Sequence, residues 1–310
     1  MTSSAAAEPQ RYLEAQIRWR PLEIVFWLAT LLPFVLTPSY LVLASQIAIT
    51  ALFALSLDLI LGYAGIVSLG HAAYFGFGSY TAGLIAKWGW GEPLSGLIIA
   101  AAAAGLLGYL TSFIIARFRH LALIMITLGL GLQGVRMWNL LGIFPFDLYG
   151  TAAYGYALAM LFLLFLVARR LINSPFGLAL RGIRENAVRM PAIGAPSPAH
   201  IRKIYTIAAV IAGVAGALLA QTTETVSLET LSFQRSADVL VILILGGAGR
   251  LYGGIVGAII YMVARDQLSG INPQYWYFWI GTLLVAVVIF LPNGILGGLA
   301  RLMPSGRSRA

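Results

Sequence analysis

The chain has 310 residues, of which 60% are hydrophobic and only 10% are charged, and its mean hydropathy is +0.87. Because a soluble domain carries roughly 25% charged residues, this composition excludes a water-soluble globular protein and predicts an integral membrane protein. Cysteine is absent, which excludes disulfides, thiolate metal sites and a cysteine nucleophile. The net charge of +9 would suggest a nucleic-acid partner for a soluble protein. In a membrane protein it indicates basic cytoplasmic loops near anionic lipids, so we expect no nucleic-acid partner.

Apolar segments follow one another along the chain, and all of them are predicted to be helices. Ten can be drawn, at 22–36, 40–61, 64–86, 94–116, 121–135, 151–168, 204–220, 238–249, 251–265 and 275–292. Fifteen helical residues reach only about 22 Å, which is less than the ~30 Å hydrocarbon core. The short segments in 238–265 can therefore also be drawn as one re-entrant pair. The sequence predicts an all-α polytopic bundle of about eight to ten spans.

The basic residues predict the orientation of this bundle. Residues 1–21 are expected to form a retained cytoplasmic tail, 22–300 a single transmembrane domain, and 301–310 a basic cytoplasmic tail. With both termini inside, 16 of the 20 lysines and arginines lie on cytoplasmic segments, seven of them in loop 169–203. The positive-inside rule therefore favours an even number of spans with both termini in the cytoplasm.

Small residues recur every three or four positions through 57–83, which allows helices to approach closely. The segment is therefore interpreted either as a packing face or as the wall of a translocation path. Asp58 lies near the end of a span and is expected to reach water. The candidate path residues are Gly65, Ser68, Gly70, His71, Ser79 and Tyr80.

The most basic loop contains a predicted amphipathic helix. Ser174 suits the N-cap and Pro175 the first helical position, and Pro191 is expected to end the helix. Leu180, Ile183, Ala187 and Met190 share one predicted face, and Arg181, Arg184, Glu185 and Arg189 occupy the other. Such a helix either lies on lipid headgroups or docks into a cytoplasmic partner and transmits its movement to the spans.

Two further segments carry candidate functional residues. A glycine-rich turn at 246–254 predicts a discontinuous span, with Gly246, Gly247 and Gly249 as gate or turn candidates. Because Arg250 is predicted to face the cytoplasm, an inner gate or re-entrant turn is favoured over a substrate site. The outer loop 221–237 is interpreted as a solvated face or as a contact for a binding protein.

Catalytic and nucleotide-binding patterns are missing. The three histidines lie in separate segments without metal-ligand spacing, so we expect no bound metal and no catalytic residues. The run 129–134 matches G-x-G-x-x-G, but it lies in a membrane segment without the strand and helix that a dinucleotide site requires. A phosphate-binding G-x-x-x-x-G-K-[ST] loop is also absent. The energy for any transport must therefore come from another subunit or from an ion gradient.

Four runs of residues are distinctive: Gly62-Tyr-Ala-Gly-Ile-Val-Ser-Leu-Gly-His-Ala-Ala-Tyr-Phe-Gly-Phe-Gly-Ser-Tyr, Ser174-Pro-Phe-Gly with Arg181-Gly-Ile-Arg-Glu-Asn, Leu245-Gly-Gly-Ala-Gly, and Phe290-Leu-Pro-Asn-Gly-Ile-Leu-Gly. Together they resemble one known family, the LivM-type permeases of branched-chain amino-acid ABC importers. The chain departs from the family at Pro191, where a helix former is usual, and at Gly254, where proline is common. Segment 121–135 is also compressed, which implies either a natural deletion or an altered function.

The resemblance implies a type II-like ABC importer permease fold and a multi-pass subunit of the bacterial inner membrane. It implies four kinds of partner: a second permease subunit, two cytoplasmic ATPases that use ATP and Mg, a periplasmic solute-binding protein and the lipid bilayer. The chain itself is expected to bind no cofactor. The resemblance further implies that 175–194 is a coupling helix, whose candidate contacts with the ATPase are Arg181, Arg184, Glu185, Asn186 and Gly194.

Several alternatives stay open. A urea or amide importer uses the same type of permease. A gradient-driven transporter would be expected to show paired buried acids or repeats, and a membrane enzyme would need a polar cluster within the spans. The compression of segment 121–135 also leaves a non-transporting structural subunit open.

Overall fold

A computed structural model of the protein describes residues 19, 21–36, 38–115, 132–133, 151–291 and 293–302. This part of the chain is helical apart from connecting turns and one short strand pair. The α-helices are α1 Pro21–Ala29, α2 Leu32–Leu36, α3 Leu41–Asp58, α4 Ala72–Lys87, α5 Pro93–Ile115, α6 Thr151–Ile172, α7 Pro175–Asn186, α8 Ser197–Thr223, α9 Phe233–Gly246, α10 Gly253–Ile271, α11 Trp276–Phe290 and α12 Gly294–Leu302.

Shorter elements join these helices. Helix α3 continues into a single π-helical turn at Leu59–Tyr63, and 3-10 turns occupy Pro38–Tyr40, Met190–Ile193 and Leu228–Leu231. Strand β1 Leu132–Gln133 pairs antiparallel with β2 Thr225–Val226. Leu132 and Gln133 lie in segment 121–135, so the prediction of a helix is wrong for these two residues. A strand of two residues is too short to show a strand periodicity.

The core lies around α3 and α8, which are the most buried helices. Helix α8 packs against α5, α4 and α3, while α3 also packs against α10 and α6. Glycine makes the α4–α8 contact possible, because a methyl group on Gly78 would lie 2.5 Å from the Gly213 Cα atom, and one on Gly216 would lie 2.7 Å from the Phe75 carbonyl carbon. Gly78 and Gly216 therefore allow α4 and α8 to lie in close contact.

Four helical stretches among the described residues are long and apolar enough to cross a membrane. They are Pro38–Tyr63, Pro93–Phe113, Thr151–Ile172 and Ser197–Thr223, which correspond to four of the predicted elements. Shorter apolar helices cover Pro21–Leu36 and Trp276–Val287. The predicted all-α membrane architecture is confirmed, whereas the number of spans and the side on which the termini lie stay predictions.

Several helix boundaries differ from the predicted ones. Helix α4 begins at Ala72 and not at residue 64, because Gly65 adopts a φ of +73° that interrupts helical geometry. Helices α8 and α10 extend beyond their predicted apolar segments, to Ser197 and Ile271, since polar residues can continue a helix at its ends. The fingerprint run 129–134, segment 121–135 and the two tails lie outside the described residues, except for Trp19, Pro21, Leu132–Gln133 and Arg301–Leu302.

Candidate functional site

Helix α7 follows the sequence signals at its start but ends early. Its N-cap Ser174 is extended, with φ −99° and ψ 168°, and Pro175 is the first helical residue. At the other end the Asn186 Oδ1 atom accepts the backbone N–H groups of Val188 and Arg189, at 3.2 and 3.1 Å. This local hydrogen bonding competes with continuation of the helix. Helix α7 therefore ends at Asn186, before the expected stop at Pro191.

Only the first part of the predicted apolar face is buried. Leu180 is 0% exposed and Ile183 is 4% exposed, and α7 packs against α6, α8 and the π turn. Ala187 is exposed and Met190 is half-buried. The predicted face is thus wrong for Ala187, because helical spacing no longer applies once the helix has ended.

The Arg184 side chain connects α7 with the end of α3. Its Nη1 group donates a hydrogen bond to the Gly62 carbonyl oxygen in the π turn. Its aliphatic part lies against Gly65, where a methyl group would be 2.8 Å from the Arg184 Cγ atom. A hydrogen bond from a charged donor is stronger than a neutral one. Arg184 therefore holds α7 against the break between α3 and α4.

Asp58 connects the same break to the glycine-rich turn. Its Oδ1 atom accepts the backbone N–H of Gly249 at 2.7 Å, and the residue is 0% exposed. The prediction that Asp58 reaches water is therefore wrong: the turn between α9 and α10 covers it. Its Oδ2 atom has no hydrogen-bond partner among the described residues. A buried carboxylate is unfavourable without hydrogen bonds. The hydrogen bond from the Gly249 amide therefore stabilises Asp58 in its buried position.

Gly62 lies between these two connections. A methyl group on Gly62 would meet the Asp58 carboxylate and would lie 2.8 Å from the Gly249 Cα atom. Gly249 has a φ of +79°, which favours glycine. We call Asp58, Gly62, Arg184 and Gly249 the junction cluster. It joins three features that the sequence analysis treated separately: the end of a span, the amphipathic helix and the glycine-rich turn.

The glycine-rich turn is also packed from its other side. Gly247 has a φ of +109°, and a methyl group on Gly294 would lie 2.8 Å from the carbonyl carbon of Gly246. The Arg250 Nη1 group lies 3.5 Å from the carbonyl oxygen of Asn293, just before α12. The turn is therefore enclosed between the junction cluster and the start of α12.

Four of the six candidate path residues are buried in the folded protein. Ser68, His71, Ser79 and Tyr80 are buried, whereas Gly65 is exposed and Gly70 is half-buried. His71 Nε2 lies 2.8 Å from the hydroxyl of Ser56 on α3, and the His71 ring stacks on Phe53. Of the six, Gly65 is the one that contacts the junction cluster, through Arg184.

The remaining candidate coupling residues divide into an inner and an outer group. The Arg181 guanidinium lies over the Tyr63 ring, 5.4 Å from its centroid, whereas Glu185, Asn186 and Gly194 are exposed. Two apolar side chains that the sequence analysis missed are exposed beside them: Val188 at 88% and Ile193 at 75%. The early end of α7 turns them outward, and no periodicity in the sequence indicates that.

Comparison with known proteins decides the family. The model of the family described as "Branched-chain amino acid transport system / permease component" matches residues 39–288. The chain belongs to this family of permease components. The match covers the junction cluster and, apart from Pro38, every described helical stretch that is long enough to span a membrane.

The LivM permeases are similar to this chain over most of their length, whereas LivH is similar over less than half. The high-affinity branched-chain amino acid transport system permease protein LivM of Salmonella typhimurium is 29% identical, covering 85% of this chain and 71% of that protein. LivM of Escherichia coli is 29% identical over 87% and 72%. LivH of Salmonella typhimurium is 29% identical over 40% of each chain. No solved structure shows a significant match.

The permease is a transport subunit and not an enzyme. In the described part of the chain, no group of three or more histidine or acidic side chains is arranged to hold a metal ion. The polar contacts of the junction cluster are hydrogen bonds: the Arg184 guanidinium donates to a backbone carbonyl, and the Asp58 carboxylate accepts from a backbone amide. They join the end of α3, helix α7 and the glycine-rich turn.

Proposed function

We propose that this permease component translocates branched-chain amino acids as part of an ATP-driven importer in the bacterial inner membrane. Its partners would be a second, LivH-like permease, two cytoplasmic ATPases that bind ATP and Mg, and a periplasmic solute-binding protein. The names of the similar LivM and LivH proteins support the substrate class and the permease pair. The distribution of basic residues supports an even number of spans with both termini in the cytoplasm.

The junction cluster is the observation that carries the mechanism. Movement of α7 would pull on the Gly62 carbonyl through Arg184, and Gly62 is packed directly on Gly249. A π turn in a helix is a common feature of functional sites, and here it gives the end of α3 a local geometry that can change without unwinding the span. Arg184 would thus couple the ATPase to the inner end of the bundle from within the permease.

A separate surface would receive the ATPase. Glu185, Val188 and Ile193 are exposed, and the apolar pair beside a carboxylate suits a protein partner better than water. Gly194, with a φ of +86°, sets the direction in which the chain leaves this surface. Arg181 and Arg184 would then act on the inner side and Glu185 and Asn186 on the outer side of the same segment.

The path candidates 65–80 stay part of this proposal. Ser79 and Tyr80 each have a buried hydroxyl oxygen without a hydrogen-bond partner among the described residues. Such groups are unfavourable within a bilayer, and a hydrated path beside them would satisfy both.

Uptake by the assembled transporter tests the substrate class. The complex is reconstituted in proteoliposomes with ATP, and the import of labelled leucine is compared with that of labelled urea. We expect ATP-dependent import of leucine and no import of urea above the ATP-free control. Import of urea instead, or import of leucine without any ATPase, would contradict the proposal.

Substitution of Arg184 tests the coupling mechanism. Arg184→Gln removes a charge-assisted hydrogen bond worth about 1.5–3 kcal/mol. If that bond forms in only one transport state, the balance of states changes by about 10- to 150-fold. We expect a large decrease in leucine imported per ATP hydrolysed, with normal assembly of the complex.

Arg189→Gln is the matched control, because Arg189 is exposed in the same segment. Equal transport per ATP in Arg184→Gln and Arg189→Gln would show that the bond to Gly62 has no role in coupling.

A further inference from the structure

A polar cavity of about 330 Å³ lies at the end of the bundle remote from the junction cluster. Helix α8 relates the two ends: the Ser197 hydroxyl donates to the Ala187 carbonyl just after α7, at 2.9 Å, and Thr223 lines the cavity. The 27 residues of α8 rise about 40 Å. If α7 faces the cytoplasm, the cavity faces the side on which substrate arrives.

The cavity contains charges of both signs. Arg235 from α9 and Arg265 from α10 supply the positive charges, and Glu229 and Asp266 supply the negative ones, with Gln46 as a neutral polar neighbour. Among the described residues neither arginine has a carboxylate oxygen within 4.0 Å. Both arginine residues are half-buried. They therefore retain free hydrogen-bond donors toward the cavity, in a place where an anionic group would be stabilised.

A narrower space continues inward from the cavity. It encloses about 20 Å³, and it shares Thr50, Arg235 and Arg265 with the cavity above. Such a volume admits about one water molecule and no amino acid. Its walls include Phe53 and Phe75, and the Arg235 guanidinium lies 5.6 Å from the centroid of the Phe75 ring. The cavity thus has two arginines at its base and a closed aromatic floor.

We propose that this cavity is a binding site for a zwitterionic α-amino acid, the first site within the permease after release from the binding protein; this rests on the proposed function. Arg265 and Arg235 bind the α-carboxylate, as guanidinium groups do in a bidentate manner. Glu229 and Asp266 bind the α-ammonium group. The volume is at the lower end of the ~300–1,000 Å³ typical of small-molecule sites. Balanced charges favour a zwitterion over urea, which carries no charge.

Cysteine labelling tests the site directly, because the chain contains no cysteine of its own. Ser269→Cys places a thiol in the cavity, and Gln267→Cys places one on the same helix outside it. The assembled transporter is reconstituted in nanodiscs and treated with a polar maleimide, with or without L-leucine. We expect L-leucine to slow labelling of Ser269→Cys by about fivefold or more and to leave Gln267→Cys unaffected. Isocaproate, which lacks the ammonium group, and isoamylamine, which lacks the carboxylate, should protect much less.

A second substitution in the Ser269→Cys background assigns the carboxylate contact. Arg265→Gln should raise the leucine concentration needed for half-protection by about tenfold, as expected for loss of a charge-assisted hydrogen bond. Arg265→Lys should restore part of the affinity. Lys87→Gln, which removes an exposed positive charge outside the cavity, should leave it within about twofold.

The outcomes separate this proposal from the proposed function. Leucine import by wild type together with no protection of Ser269→Cys would overturn the site while leaving the function intact. Failure of both import and protection would overturn both. Equal protection by isocaproate would refute recognition of a zwitterion. A Ser269→Cys thiol that never reacts would show that a partner subunit covers the cavity, which also overturns the site.

Discussion

Gly62→Ala is expected to be among the most damaging single methyl additions in the protein. The added methyl group would meet the Asp58 carboxylate and the backbone of Gly249, with the Gly249 Cα atom at 2.8 Å. Ordinary contact between carbon atoms requires about 3.5–4.0 Å. Either α3 or the turn at Gly249 must therefore move by roughly 1 Å. Such a movement would break the 2.7 Å hydrogen bond between the Gly249 amide and Asp58.

Two costs determine the size of the effect. Overpacking of a well-packed interior costs about 1–3 kcal/mol, and loss of a hydrogen bond to a charged group costs about 1.5–3 kcal/mol. Because the unfolding entropy of about 2.1 cal/mol/K per residue makes each kilocalorie worth roughly 1.5 °C in a chain of 310 residues, we expect the unfolding midpoint of Gly62→Ala to fall by at least about 4 °C. Thermal unfolding of the detergent-purified protein is followed by the fluorescence of its 7 tryptophans.

Gly155→Ala is the matched control, since it also adds one methyl group within a span. That methyl group would lie 3.7 Å from the Phe34 ring, in ordinary contact. Because alanine favours a helix over glycine by about 1 kcal/mol, Gly155→Ala should unfold at the wild-type temperature or slightly above it. If Gly62→Ala unfolded within about 1 °C of wild type, the close packing of the junction cluster would be refuted.

Three further predictions concern other parts of the chain. Ser236→Ala removes the hydroxyl that accepts the buried backbone N–H of Ala72 at 2.9 Å, so unfolding by denaturant should show a loss of about 1–3 kcal/mol, and an unchanged midpoint would refute this role. Burial raises the pKa of Glu92, but hydrogen bonds from the Ser95 and Leu94 amides outweigh it and place the pKa below the ordinary 4.5. A carboxyl group with a lowered pKa stabilises the folded state above pH 4.5, and this stabilisation is lost as the pH falls from 4.5 through the lowered pKa. Glu92→Gln should therefore lose less stability on acidification than the wild-type protein does. The Arg169 side chain forms a 2.9 Å ion pair with Glu23, and the two side chains are 8% and 19% exposed. Because removing one member of such a pair costs more than replacing both members by apolar groups, Glu23→Gln should lower the free energy of unfolding in denaturant more than the double variant with Arg169→Met does, and equal losses would refute a stabilising pair.

The sequence predicted the long spans well and the connections between them poorly. Segments 40–61 and 94–116 are predominantly apolar and long enough to cross a bilayer, so their helical state follows from the cost of unpaired backbone groups there. By contrast, the start of α4 depends on the positive φ of Gly65, which is one glycine among 34. The end of α7 depends on the Asn186 side chain. Local hydrogen bonds of this kind leave no periodic signal.

The site divides in the same way. Arg184 was predicted from a resemblance and from its position on an amphipathic helix, but not its hydrogen bond to Gly62. Asp58 was expected to reach water because it lies near the end of a span. Its contact with Gly249 was not predicted, since the two residues are 191 positions apart in the sequence and no local pattern relates them. The charged residues of the cavity come from three separate segments, so their common location required the packing of α9 and α10.

Helix α3 contacts both the cavity and the junction cluster, which makes their effects separable by experiment. Thr50 lines the cavity and Asp58 belongs to the cluster, and the helix rises about 12 Å from Thr50 to Asp58. Effects of substitutions farther apart than about 7–10 Å usually add. Arg184→Gln should therefore lower the leucine imported per ATP and leave the protection of Ser269→Cys by leucine unchanged, whereas Arg265→Gln should weaken protection without changing that ratio at saturating leucine. Strong non-additivity in the double variant would instead show that α3 transmits binding at the cavity directly to the π turn.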